Sequence, residues 1–119
     1  MTTSNYKVNE AFWHSLDQLV RTSEIIIDRP QGSTHPRYPG LVYPLDYGYL
    51  KDTTSSDGDG IDIWIGKAQS NQVDAVMCIV DMQKRDSEIK VLYSCSDDEM
   101  NTIYTIHNEQ GMNGVLLKR

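Results

Sequence analysis

The stretch Asp57-Gly58-Asp59-Gly60-Ile61-Asp62 places three carboxylates within six residues, beside two glycines. In extended backbone, residues 57 and 59 point to the same side, and a turn at Gly60 brings Asp62 back towards them. Carboxylates held together repel one another, which costs stability unless a cation neutralises them. Their oxygens are hard donors, so magnesium, manganese or calcium is the expected ion. An EF-hand is excluded, because that loop needs Gly at its sixth position and Glu at its twelfth. Counted from Asp57, this chain has Asp62 and Ala68 there. A solvated acidic turn is also written with Asp and Gly, so the neighbouring residues must decide between turn and metal site.

The elements that would position these acids can be read from periodicity. Asn9 to Arg21 has helical spacing, with Phe12, Trp13, Leu16, Leu19 and Val20 on one face and Asn9 as the N-cap. Ile25 to Ile27 is a β-branched run, expected as a buried strand. From Pro30 to Pro44 the chain holds four prolines with Gly32 and Gly40, which predicts an irregular loop. Strand character resumes over Tyr43 to Leu50. Ile61, Ile63 and Ile65 alternate with Asp62 and Trp64, the period of a half-buried strand. Ala75 to Val80 and Ile89 to Ser94 predict two further strands, joined as a hairpin through Lys84 to Ser87. Ser96 with Glu99 forms a capping box for a second helix running to His107, and Asp97 and Asp98 suit its positive end. Val115 to Leu117 predicts a short closing strand. The sum is one α+β domain over residues 1–119, a small antiparallel barrel or curled sheet with two helices outside and a loose tail over residues 1–8.

Composition narrows the function. The chain has 119 residues, 39% hydrophobic and 24% charged, with a formal net charge of −6, which suits one globular domain. Without a basic tract, an acidic chain repels nucleic acid and anionic membranes. Cys78 and Cys95 lie in apolar stretches without a CxxC spacing and are expected as buried thiols of a reducing compartment. The polar start of the chain has no signal-peptide core, and no apolar run reaches the ~20 residues of a membrane span. A cytoplasmic protein is expected.

Tyr43-Pro44-Leu45-Asp46-Tyr47-Gly48-Tyr49, followed by the acidic stretch at Asp57 to Asp62, resembles the soluble inorganic pyrophosphatases. That family carries a Tyr-Pro, Asn-Tyr-Gly-Tyr block and then an Asp-x-Asp-x-x-Asp metal motif at this spacing. The match is strong over residues 43–65 and weaker from Ile25 to Tyr93. The resemblance implies an OB-like five-stranded barrel and magnesium-dependent hydrolysis of pyrophosphate to two phosphates. It implies metal ligation by Asp57, Asp59 and Asp62, with Asp59 also taking a proton from the attacking water. Tyr47 matches a tyrosine lining the phosphate pocket, and Asp28 falls where the family has a water-orienting Glu. Glu88 and Lys90 look like an acidic ligand and a phosphate-binding lysine, and Asp86 is a candidate for a further metal-binding aspartate.

The chain also departs from the family. The insertion that brings a Lys and an Arg to the substrate is largely missing, and His35 and Arg37 are the nearest substitutes. The hairpin is shorter, and a Tyr-Lys pair of the last helix appears as His107-Asn108. Metal-activated water, with Asp59 as proton acceptor and Arg37, His35 and Lys90 offsetting phosphate charge, is the expected chemistry. Manganese would serve as a substitute ion, and a homo-oligomer is compatible with the sequence. Two other functions fit the altered basic residues: hydrolysis of another phosphoanhydride such as a nucleotide, or a non-catalytic metal- or phosphate-binding homologue.

Overall fold

The computed structural model describes residues 9–119, so the expected tail over 1–8 lies outside the described residues. Helix α1 (Glu10–Arg21) opens the chain, followed by strands β1 (Ile25–Arg29), β2 (Asp46–Leu50), β3 (Ile61–Ile65), β4 (Val73–Asp81) and β5 (Asp86–Tyr93). Helix α2 (Asp97–Ile106) and strand β6 (Met112–Lys118) complete it. Both helix starts follow from their caps. The Asn9 side chain accepts from the Phe12 amide at 3.1 Å, and Ser96 and Glu99 satisfy each other's backbone amides in a reciprocal box.

The six strands form one sheet in the order β1-β2-β3-β5-β4-β6. Every pairing is antiparallel except that of β3 with β5. The expected five-stranded barrel is therefore corrected to an open six-stranded sheet with β1 and β6 at its edges. The predicted closing segment is a full strand that pairs with β4 from Asp81↔Met112 to Ala75↔Lys118. Its outer edge is partly occupied by a side chain. Asn108 Nδ2 donates to the Gly114 carbonyl at 3.2 Å, and the Gly114 amide donates back to Asn108 Oδ1 at 3.0 Å. The amide group of Asn108 thus stands in for a neighbouring strand.

One helix covers part of each face. Trp13 and Val20 of α1 pack with Leu50, Ile63, Val76 and Val91. On the other face, Met100 and Ile103 of α2 pack with Trp64, Ala75, Met77 and Leu92. Each large apolar side chain removed from water in this way contributes roughly 1.5–3 kcal/mol. The end of α1 is tied to the sheet by Asp17, which accepts the Val73 amide at 2.8 Å and pairs with Arg119 at 3.0 Å. Two sequence expectations are corrected here. Ile25 to Ile27 form an edge strand that is only partly buried, because β1 has a neighbour on one side alone. Cys95 is buried but Cys78 is exposed, since α1 does not reach that part of the β4 face.

Gly48 is required by the close approach of β1. A Cβ at this position would stand 1.8 Å from the Ile26 carbonyl oxygen. The Tyr-Gly-Tyr of β2 therefore lets two strands cross tightly while the flanking tyrosines project to one side.

Candidate active site

Three adjacent strands present the chemistry-bearing side chains to one face. On β2 and β3, Tyr47 pairs with Trp64 and Tyr49 with Asp62, so these four share a side of the sheet. Trp64 pairs with Leu92 on β5, and the alternation of that strand carries Lys90 and Glu88 to the same side. Lys90 stands at the centre. Its Nζ lies 3.0 Å from Asp62 Oδ2 and 2.9 Å from Glu88 Oε1, and it also donates to the Tyr47 hydroxyl. All three donors of the ammonium are thus used. The Tyr47 hydroxyl donates onward to Asp62 Oδ2 at 2.8 Å.

This network sets the charge state of the site. Burial disfavours the Lys90 ammonium, but the oxygens of Tyr47, Asp62 and Glu88 outweigh it, so Lys90 titrates above its ordinary range. Burial pushes the Tyr47 phenol up, with Asp62 adding to the effect and Lys90 opposing it. At neutral pH the group is a cation shared by two carboxylates, with a neutral phenol wedged between them.

The acidic turn lies beside this group. Asp57 Oδ1 accepts from Ser55 Oγ at 2.5 Å and from the Asp59 amide at 2.9 Å. Gly58 supplies the left-handed conformation the turn needs, with φ of 87°. The Ser55 hydroxyl, then the Asp59 amide, hold the Asp57 carboxyl below its usual range, and Glu88 contributes a smaller part. Ser56 Oγ donates to the Ser87 carbonyl and so fastens the turn to the start of β5. Asp57 and Asp59 are exposed, whereas Asp62 is partly buried.

The acids are therefore arranged differently from the three-carboxylate cage the motif suggests. Among the described residues, no group of three Asp, Glu, His or Cys side chains stands ready to hold a metal ion. Lys90 already neutralises Asp62, and Asp57 is stabilised by its own turn. What the structure offers is hard oxygen donors at two neighbouring points, the turn and the Asp62–Glu88 pair. Magnesium commonly binds through one or two carboxylates, completing its shell with water and substrate phosphate oxygens, and the donor chemistry here fits that mode.

The other expected residues divide. Asp28 is the extra residue of a β-bulge between the pairs Ile27↔Gly48 and Arg29↔Tyr47, and it is exposed. Arg29, not Asp28, takes the position opposite Tyr47. His35 is half-buried, its ring stacked 6.4 Å from that of Tyr43, and its Nδ1 accepts the Arg37 amide at 3.0 Å. Burial, then the charges of Arg29, Arg37 and Lys84, lower the His35 pKa. Asp86 begins β5 opposite Asp81, two residues before Glu88 on the same side of the strand.

The altered helix pair has a structural role. His107 is buried and its Nε2 accepts from the Trp64 indole at 3.1 Å, while Asn108 holds the β6 edge. The sequence reading missed Arg29, Lys84 and the Trp64–His107 bond. Only the third left a trace, in a His on the apolar face of α2.

No family model matches the sequence, and no curated protein does either. Solved structures resemble it in shape. An inorganic pyrophosphatase from Neisseria gonorrhoeae superposes with a TM-score of 0.64 at 16% identity, covering 79% of this chain and 80% of that one. An inorganic pyrophosphatase from Coxiella burnetii gives 0.56 at 15% identity over 79% and 82%. One from Helicobacter pylori gives 0.52 at 16% identity over 81% and 75%. The fold is that of inorganic pyrophosphatases. Within this pyrophosphatase fold a cavity of about 960 Å³ borders the charged group at Glu88. Its walls include Cys78, Val80, Ile89 and Val115, with Glu88 and Ser55 also contributing. Those walls are mainly apolar, unlike the Tyr47–Asp62–Glu88–Lys90 group. No helix among the described residues is long and apolar enough to cross a membrane.

Proposed function

We propose that this protein hydrolyses inorganic pyrophosphate with the help of magnesium. The observation that carries the reading is the convergence of Tyr47, Asp62, Glu88 and Lys90 beside the Asp57–Asp59 turn, on a fold shared with inorganic pyrophosphatases. A bound magnesium ion would lower the pKa of water and polarise phosphate oxygens, held by Asp57 and Asp59 with Asp62 and Glu88 nearby. Lys90 and Tyr47 fix the orientation of Asp62, and the Lys90 ammonium adds positive charge near where a phosphate oxygen is to lie. Asp59, exposed on the turn and tied to Asp57 only through its backbone amide, has a carboxylate free to accept the proton of the attacking water. His35 and Arg37 on the neighbouring loop take up charge on the departing phosphate.

A second reading draws on the Lys90–Asp62 ion pair. A site that already neutralises its own acid could bind phosphate without turnover. One experiment separates the two: phosphate release from pyrophosphate with and without magnesium, repeated with Asp59→Asn. Magnesium-dependent release that falls about a hundredfold or more in the variant supports the hydrolase. Tight binding of pyrophosphate with no release supports the second reading. Release from nucleotides in preference to pyrophosphate would redirect the substrate assignment. An Asn variant as active as the native protein would remove Asp59 from the mechanism.

A further inference from the structure

Arg29 is half-buried on the side of the sheet that carries Tyr47. The bulge at Asp28 puts it there, because one extra residue in β1 reverses which side chain faces the site. Its guanidinium stands beside the Tyr43 hydroxyl, and Nη1 donates to the Asp28 carbonyl at 3.1 Å. In a chain of net charge −6, no ion pair among the described residues includes Arg29. Two further cations share its surroundings at His35, and the Asp28 carboxylate shares those at Tyr43. Arg37 from the proline-rich loop and Lys84 from the β4–β5 turn join Arg29 in raising the positive potential at His35. Two segments far apart in sequence thus bring cations to one rim of the site. Cations gathered on one rim raise the local potential that attracts an anion.

We propose that Arg29 is a substrate-binding residue, forming with Lys84 and the His35–Arg37 loop a subsite for the second phosphoryl group of the substrate. This deepens the hydrolase reading and rests on it for the identity of the anion. Arg29 does the work for which the sequence offers no inserted lysine and arginine. A planar guanidinium grips two oxygens of one phosphoryl group, and its backbone anchor at Asp28 limits the freedom lost on binding. Asp28, on the bulge, orients Arg29 through its carbonyl rather than acting through its carboxylate.

The test is calorimetric titration of imidodiphosphate into the full chain in magnesium buffer. Arg29→Ala is expected to weaken binding about tenfold or more, with Arg29→Lys recovering part of the loss and Lys84→Ala losing less. Lys51→Ala removes a charge elsewhere, at the Glu24 pair, and is expected to bind as the native protein does. Thermal melts verify folding, and Arg29→Gln replaces the alanine variant if the latter does not fold. Equal affinity of the Arg29 variant and the native protein overturns the proposal, as does a native protein that binds no imidodiphosphate. Arg29-dependent binding without pyrophosphate turnover keeps the subsite and sinks the hydrolase reading.

Discussion

The Trp64 indole donates to His107 Nε2 across 3.1 Å in the interior, directly behind Tyr47, whose ring lies 4.5 Å from that of Trp64. Because Nε2 accepts, a neutral His107 carries its proton on Nδ1, an atom with no partner among the described residues. Burial, then the charge of Lys90, push the His107 pKa down to about 3 from 6.5. The folded state therefore binds the proton less readily than the unfolded chain. The stability this neutral His contributes is complete above about pH 6.5 and is lost as pH falls towards 3. Replacing His107 by Gln keeps an acceptor for Trp64 and removes the titration. Melting temperatures recorded from pH 7 to pH 4 should drop less steeply for His107→Gln than for the native protein.

Lys90 tests the central ion group. Lys90→Met leaves Asp62 and Glu88 without their cation and should destabilise the fold by about 3 kcal/mol. The value sits at the low end of the buried-pair range because the Asp62 side chain keeps 25% of its surface exposed. Adding Asp62→Asn to the same chain should restore part of that loss, since one stranded charge disappears. Urea unfolding of the single and double variants reads this directly. A double variant less stable than the sum of its parts would mean that Asp62 is held by something other than Lys90.

Gly48 should not tolerate a side chain. Gly48→Ala forces the Ile26 carbonyl away from β2 and is expected to cost about 3 kcal/mol, near the upper part of the usual range for overpacking. A melting temperature unchanged by the substitution would show that β1 moves aside freely.

The acidic turn tests the proposed magnesium site. In calorimetry with imidodiphosphate present, Asp57→Asn should weaken magnesium binding about tenfold or more, because the ion loses a charged hard donor. Its effect on the melting temperature should be small, as the Asp57 side chain is exposed and its bonds are local. A variant that takes up magnesium as well as the native chain would place the ion elsewhere.

Local signals in the sequence proved readable where the physics is local. The Asn9 cap, the Ser96–Glu99 box, the Ile61–Ile63–Ile65 alternation and the polar turn before β5 each depend on residues a few positions apart. Strand order does not. Nothing near Asp62 reveals that β5 lies beside β3, so the pairing of Asp62 with Lys90 stayed hidden. The bulge was equally hidden. Asp28 and Arg29 are adjacent, and one unpaired residue decides which of them faces Tyr47. Cys78 looked like a core residue from its apolar neighbours, yet its exposure depends on how far α1 reaches across the sheet.

The parallel contact between β3 and β5 has a further consequence for how the protein comes into being. Asp62 arrives with the β1–β2–β3 meander, and Lys90 with the β4–β5 hairpin, each of which can form from nearby chain. The two meet only when these halves dock along the Ile63↔Val91 seam, a contact of high sequence separation and slow to nucleate. A half-assembled chain carries either Asp62 or Lys90, never both in register, so their ion pair marks the completed fold and no earlier stage.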